Sequence, residues 1–236
     1  MNMPPVAIVA GGLATRLHPT TLKIPKSMIE VAGKPFIYHQ LSLLKRRGAS
    51  DVLLCIGNLG SEIQDYVGDG KAWGLRVRYS YDGEKLLGTG GAIKKALDKL
   101  PDAFFVLYGD SYLDVDMEPI LERFIGSGKQ AIMTIYHNRN KLDKSNVVFK
   151  DGKILRYGKV QIPEMEYIDY GLSILSKRVF DAWPADTAFD LADVYGRLVN
   201  TGEMAAFEVS RRFYEIGSKS GINELERHMA SVGMEC

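Results

Sequence analysis

Residues 6–28, VAIVAGGLATRLHPTTLKIPKSM, decide how this 236-residue chain is read. The apolar run 6–10 has strand length and lacks polar alternation, so it belongs inside a sheet covered on both faces. It ends in Gly11-Gly12, and beyond that lie Thr15, Arg16 and a Lys26 isolated between Pro25 and Ser27. Glycines after a strand let backbone N–H groups approach phosphate closely, because no Cβ intervenes. Arg16 offers a planar fork for phosphate oxygens, and Lys26 a compact charge on a flexible stem. Pro19 and Pro25 stiffen the loop between them and lower the entropy lost when it closes on a ligand. The stretch reads as a buried first strand, a glycine turn and a loop suited to a polyphosphate.

Outward from this stretch, strands and helices alternate. Residues 34–48 place Phe36, Ile37, Leu41 and Leu44 at helical spacing, with a basic end and Gly48 as the stop. Strands are expected at 51–56, 75–80 and 103–108, and helices at 61–67 and 90–100. Wholly apolar strands separated by helices imply a mostly parallel sheet with helices on both faces, an α/β class. Ligands in such sheets sit beyond the carboxyl ends of the strands, where both Gly11-Gly12 and Gly109-Asp110 fall. The second half changes character. Strands at 131–136, 146–149 and 154–157, the last two joined through Asp151-Gly152, suggest an antiparallel subregion with a hairpin, followed by a strand at 167–175. Helices fit 189–200 and 218–231, with a strand at 204–209 between them. Nothing resembles a linker or a repeat. One domain is expected over 1–236, with a first half (6–126) that carries the polyphosphate loop and a second half (127–236) whose mixed-sheet subregion, from about 130 to 176, covers the ligand mouth.

Composition narrows the classes. Hydrophobic residues make up 46% and charged residues 25%, as in ordinary globular proteins. A net charge of +1 gives no long-range field for nucleic acid or for a membrane surface, so any anion site must be local. With only Cys55 and Cys236, a framework disulfide is not expected, and a reducing, cytoplasmic setting is. The N-terminal residues carry neither a basic signal region nor a membrane span. His18, His39, His137 and His228 lack metal spacing. A homo-oligomer is compatible with the sequence, which does not mark its exposed faces.

Two familiar phosphate motifs do not fit. Gly12 is followed by Leu13-Ala14 rather than the Lys-Ser/Thr of a P-loop, and the dinucleotide fingerprint lacks its third glycine. Gly11-Gly12-x-x-Thr15-Arg16-Leu17-x-Pro19, with Pro25-Lys26-x-Met28, instead resembles the signature of sugar-1-phosphate nucleotidyltransferases. The likeness continues through Leu87-Gly88-Thr89-Gly90-Gly91, Tyr108-Gly109-Asp110 and Tyr214-Glu215-Ile216-Gly217. It implies a Rossmann-like domain with a mixed sheet, and magnesium-dependent transfer of a nucleotidyl group from a nucleoside triphosphate to a sugar 1-phosphate.

By that resemblance Arg16 would hold the leaving pyrophosphate and Lys26 the α-phosphate. Ala10, Gly11, Gly12, Thr15, Glu84, Gly88 and Thr89 would line the nucleotide, and Asp110 with Glu215 would bind Mg²⁺. Family members usually carry Asp where this chain has Glu215, whose extra methylene still lets a carboxylate reach a metal. They usually carry Gly where this chain has Ala14, a position that is strained if its φ is positive. On the sugar side the matching residues are Tyr108, Gly109, Lys159, Asp169, Tyr170 and Gly171. The family's sugar-binding Glu is missing, with Glu164 or Glu166 as its replacement, and Asp169 stands in place of Asn. Glu84 only accepts hydrogen bonds, which suits the N1–H and N2–H₂ edge of guanine. The reading leans to GTP with heptose 1-phosphate or mannose 1-phosphate, with UTP, CTP and dTTP as alternatives. A noncatalytic nucleotide-sugar sensor would keep the glycines but would not need Lys26, Asp110 and a second carboxylate together. The chain is also expected to lack the β-helix that some relatives append.

Overall fold

The computed structural model describes residues 3–12, 17 and 20–233. The expectations for Ala14, Thr15, Arg16, His18, Pro19 and Cys236 lie outside these residues. In chain order the elements are β1 (Val6–Val9), β2 (Glu30–Val31), β3 (Lys34–Pro35), α1 (Phe36–Arg46), β4 (Asp51–Ile56), α2 (Gly60–Val67), β5 (Arg76–Tyr81) and α3 (Gly88–Lys95). They continue with β6 (Ala103–Tyr108), β7 (Ser111–Tyr112), α4 (Met117–Ser127), β8 (Ala131–His137), β9 (Val147–Lys150), β10 (Lys153–Tyr157) and β11 (Tyr167–Ser176). The chain closes with α5 (Leu191–Asn200), β12 (Met204–Val209), β13 (Tyr214–Glu215) and α6 (Lys219–Ser231).

A nine-stranded mixed sheet organises the molecule. β5, β4, β1 and β6 run parallel in that spatial order. β11 then pairs antiparallel with β6, β8 antiparallel with β11, and β12 parallel with β8. The antiparallel strands expected at 131–136 and 167–175 are therefore continuous with the main sheet. The β9–β10 hairpin joins the same sheet through a single pairing, Val147 opposite Tyr167. Two small antiparallel pairs, β2–β3 and β7–β13, lie apart from the main sheet.

Alternation along the central strands explains their wholly apolar sequences. Val6, Ile8, Val52, Leu54, Phe105 and Leu107 point into one core with Ile37 and Leu41 of α1, Ile63 of α2 and Ile120 of α4. Ala7, Leu53, Cys55, Phe104 and Val106 point into the other, against Ile93 of α3 and Val194 and Leu198 of α5. Both faces are dry, so both sets of side chains must be apolar. Helix α4 has no counterpart in the sequence reading. Met117, Ile120, Leu121 and Phe124 repeat at helical spacing, and Pro119 among them is harmless in a first turn, where no intrahelical donor is lost.

β1 lies between β4 and β6, so the chain winds away from it in one direction through β4 and β5, then returns to its other side at β6. That reversal opens a crevice beyond the carboxyl ends of β1 and β6, where ligands of doubly wound sheets sit.

Candidate active site

The crevice is built first by backbone proximity. Val9 registers with Tyr108, and the Gly109 N–H donates to the Val9 carbonyl at 2.9 Å. A Cβ on Gly109 would lie 2.8 Å from both the Ala10 Cβ and the Val9 carbonyl oxygen, so only glycine lets the end of β6 approach β1. The two glycines after β1 differ. Gly11 is buried, and a Cβ there would meet the Gly57 nitrogen at 3.0 Å and Asp82 Oδ2 at 3.4 Å. Gly12 is exposed and has nothing within 4 Å of its Cβ position, so its backbone is the open one.

Asp110 follows Gly109 directly and points into the crevice. Lys26 Nζ donates to its Oδ2 at 2.6 Å, and the two side chains retain 22% and 33% exposure, so the pair is shielded but reachable. Ser111 Oγ donates to Asp110 Oδ1 at 3.3 Å. The two-residue ladder β7–β13 sets Glu215 opposite Ser111, and the Ile216 N–H donates to the Asp110 carbonyl at 3.0 Å. The Cβ position of Gly217 lies 3.5 Å from Lys26 Nζ and 3.7 Å from Glu215 Oε1. Lys26, Asp110 and Glu215, spread over 26–215 in sequence, thus converge on one point.

Two clefts meet there. One, of about 190 Å³, is lined by Val9, Ala10, Gly12, Lys26, Thr89 and Asp110. The other, of about 490 Å³, takes in Lys159, Asp169, Tyr170, Gly171, Asp190 and Glu215. Thr89, Tyr108 and Asp110 line both. Of the residues expected on the nucleotide side, Ala10, Gly12 and Thr89 line the smaller cleft; of those expected on the sugar side, Lys159, Asp169, Tyr170 and Gly171 line the larger, Gly109 the smaller and Tyr108 both.

Within the larger cleft, Gly171 adopts φ +96° where the β11 register shifts between Asp169 and Ser173. That irregularity turns Asp169 toward the cleft, with its Oδ1 accepting the Gly171 N–H at 2.9 Å. Burial pushes the Asp169 carboxyl up to about 6, against the opposing effect of the Gly171 N–H and the Tyr157 hydroxyl. Behind it, Tyr195 shares hydrogen bonds with Ser173, at 2.8 Å, and with Tyr108. Lys159 donates to Asp190 at 2.6 Å, on the exposed rim. Tyr170 is buried at 2% exposure, with its ring edge-on to Phe213 and its hydroxyl without a partner among the described residues, so it lines the cleft as packing.

The glycines at the start of α3 have a structural cause that their motif does not reveal. Added Cβ atoms would lie 2.7 Å from the Phe189 carbonyl oxygen at Gly88, 2.4 Å from the Phe189 ring at Gly90 and 2.5 Å from the Thr187 carbonyl oxygen at Gly91. Phe189 also accepts the Gly90 and Gly91 N–H groups, and Thr89 Oγ1 accepts the Leu191 N–H at 2.8 Å. The segment before α5 is thereby seated on α3.

Glu84 is exposed and lines neither cleft. The buried carboxylate nearby is Asp82, which the sequence reading passed over. It accepts the Leu87 N–H at 3.2 Å beneath Gly11 and Gly57, and burial raises its carboxyl against the pull of that N–H and of Lys95. Asp82 directly follows β5 much as Asp110 follows β6 after one glycine, and that position is the signal that could have found it. Glu164 and Glu166 are exposed. The Glu166 backbone carbonyl accepts from Asn138 and Arg139, and neither glutamate lines the larger cleft.

The chain matches the nucleotidyl transferase family over residues 6–220, and it belongs to that family. It is 32% identical over 215 residues to a UTP–glucose-1-phosphate uridylyltransferase of Synechocystis sp., covering 83% of this chain and 55% of that protein. It is 28% identical to the D-glycero-alpha-D-manno-heptose 1-phosphate guanylyltransferase of Campylobacter jejuni, covering 79% and 82%. The crystal structure of HddC from Yersinia pseudotuberculosis complexed with GMP-PN superposes with a TM-score of 0.79 at 25% identity, covering 96% of this chain and all of that one. The chain thus spans a little over half the length of the Synechocystis relative and most of the length of the other two.

Proposed function

We propose that this protein transfers a nucleoside monophosphate from a nucleoside triphosphate to a sugar 1-phosphate and releases pyrophosphate. The observation that carries the reading is the convergence of Lys26, Asp110 and Glu215 at the junction of the two clefts. A sugar phosphate oxygen attacks the α-phosphorus, the bond to the bridging oxygen breaks, and pyrophosphate leaves on the opposite side. Both reactants are anions, so the protein's task is positioning and charge neutralisation. Lys26 would leave Asp110 for the α-phosphate, and Arg16 would hold the leaving pyrophosphate.

Asp110 and Glu215 suit Mg²⁺, which takes one or two protein carboxylates and completes its shell with phosphate oxygens and water. The ammonium already seated on Asp110 marks the spot as one that favours a cation. When bound, the metal would supply charge neutralisation of the triphosphate; Asp110 and Glu215 would hold it and Lys26 would complement it.

GTP is the favoured nucleotide and heptose or mannose 1-phosphate the favoured acceptor. The guanylyltransferase relative and the GMP-PN complex support this choice. The Synechocystis uridylyltransferase supports UTP as the second reading. For the base, buried Asp82 joins exposed Glu84 as a candidate acceptor. For the sugar, Asp169 is the acceptor turned into the larger cleft.

The test is pyrophosphate release with GTP, UTP, CTP and dTTP, each against a panel of sugar 1-phosphates. Turnover with GTP and a heptose or mannose phosphate is expected, and Lys26→Ala should lower it by about 10²- to 10³-fold. Near-normal turnover by Lys26→Ala, or silence across the panel with nucleotide binding retained, would overturn the reading.

A further inference from the structure

The turn that carries Asp110 is held from three sides. The Gly109 N–H donates to Val9 of β1 and the Ile216 N–H donates to the Asp110 carbonyl. The third hold comes from α1. Gln40 Nε2 donates to the carbonyls of both Tyr108 and Ser111, each at 2.9 Å. Those carbonyls bracket Gly109-Asp110, so a single amide group spans the turn. The amide's orientation follows from its partners, since carbonyl oxygens only accept and the NH₂ end must face them.

Gln40 is 1% exposed and its Oε1 has no partner among the described residues. The small cavity it helps to line is otherwise walled largely by Leu43, Leu44, Leu107, Leu113 and Leu172. A buried amide with one end unsatisfied contributes little to folding. Its effect is concentrated on what its satisfied end holds.

We infer that Gln40 is a positioning residue that fixes the turn aiming the Asp110 carboxylate at the divalent cation, an inference that rests on the proposed metal role of Asp110. Partners that orient a metal ligand set its affinity without touching the ion. Gln40 acts here through backbone carbonyls rather than through the carboxylate itself.

The test substitutes Gln40→Met, which suits the leucine surroundings and removes both donors. Gln40→Asn, which keeps the amide but is one methylene too short to span both carbonyls, serves if the Met variant does not fold. Mn²⁺ alone is titrated by electron paramagnetic resonance against the nucleotide-free wild type, the Gln40 variants and Asp110→Asn. Amide hydrogen exchange is followed over 109–112 and over β1 and β4. Weakening of Mn²⁺ binding by about 10- to 100-fold is expected in the Gln40 variants. Exchange should quicken over 109–112 while β1 and β4 stay protected, and kcat should fall more than the nucleotide KM rises. Wild-type Mn²⁺ affinity and exchange in a folded Gln40 variant, with binding lost in Asp110→Asn, would overturn the positioning role and leave the metal reading standing. Wild-type Mn²⁺ binding by Asp110→Asn would overturn the metal reading and this inference with it.

Discussion

Asp169 shows how one side chain couples the larger cleft to the stability of the fold. Its carboxyl titrates near 6 because burial disfavours the charged form, while a carboxyl in the unfolded chain ionises near about 4. Between those values the folded state keeps a proton that the unfolded state has released, so stability falls as pH rises through that interval. Below and above it this group adds no slope. Asp169→Asn should therefore flatten the wild-type loss between about pH 4 and 6, a loss of no more than about 2–3 kcal/mol after discounting for partial exposure. Urea midpoints of both proteins across that range measure it, and parallel curves would exclude the effect. Much at this scale was legible in the sequence. Lys26, Asp110, Asp169 and Thr89 were named from motif positions, and all line the clefts. Asp82 and Gln40 were not, because a carboxylate under a glycine turn and an amide behind one look like any other Asp or Gln until the chain is folded.

Elements settle what each glycine is for. In the sequence Gly11-Gly12 and Gly88-Thr89-Gly90-Gly91 stand alike as glycine-rich motif positions. The fold divides them: Gly12 is open, whereas Gly90 and Gly91 accommodate the segment leading into α5. Gly91→Ala would drive a methyl toward the Thr187 carbonyl oxygen and is expected to cost about 1–3 kcal/mol of stability. Gly12→Ala should change stability by no more than about 0.5 kcal/mol while raising the nucleotide KM. Thermal unfolding and nucleotide titration of the two variants separate these outcomes, and equal stability losses would refute the division. Helix α4 carries a helical apolar period of its own, and its proline lies in the first turn, which tolerates it.

At the scale of the molecule, no described helix is long and apolar enough to cross a membrane. The central sheet runs through both halves of the chain, so the first strand cannot open alone. Cys55 on β4 reports on that unity. It is buried at 1% exposure and burial pushes its thiol up to about 12, leaving almost no thiolate at neutral pH. In a Cys236→Ser background its labelling by a thiol reagent should stay negligible until the far-ultraviolet dichroism is lost, the two transitions coinciding in denaturant. Labelling well ahead of the dichroism change would mean that β4 opens separately.

The sequence by itself determined the parallel core and the crevice beyond β1 and β6, and marked Lys26 and Asp110 as charged residues beside it. Those features are written in short windows, where apolar runs, glycines and isolated charges act on their own neighbours. Only the tertiary structure decided that Glu215 stands beside Asp110, through the ladder of β7 with β13. It also decided that Gln40 bonds the carbonyls on either side of Gly109-Asp110, and that Phe189 packs against Gly88 and Gly90. Each of these contacts joins residues far apart in the chain, and their geometry exists only once the sheet has fixed where the distant backbone lies.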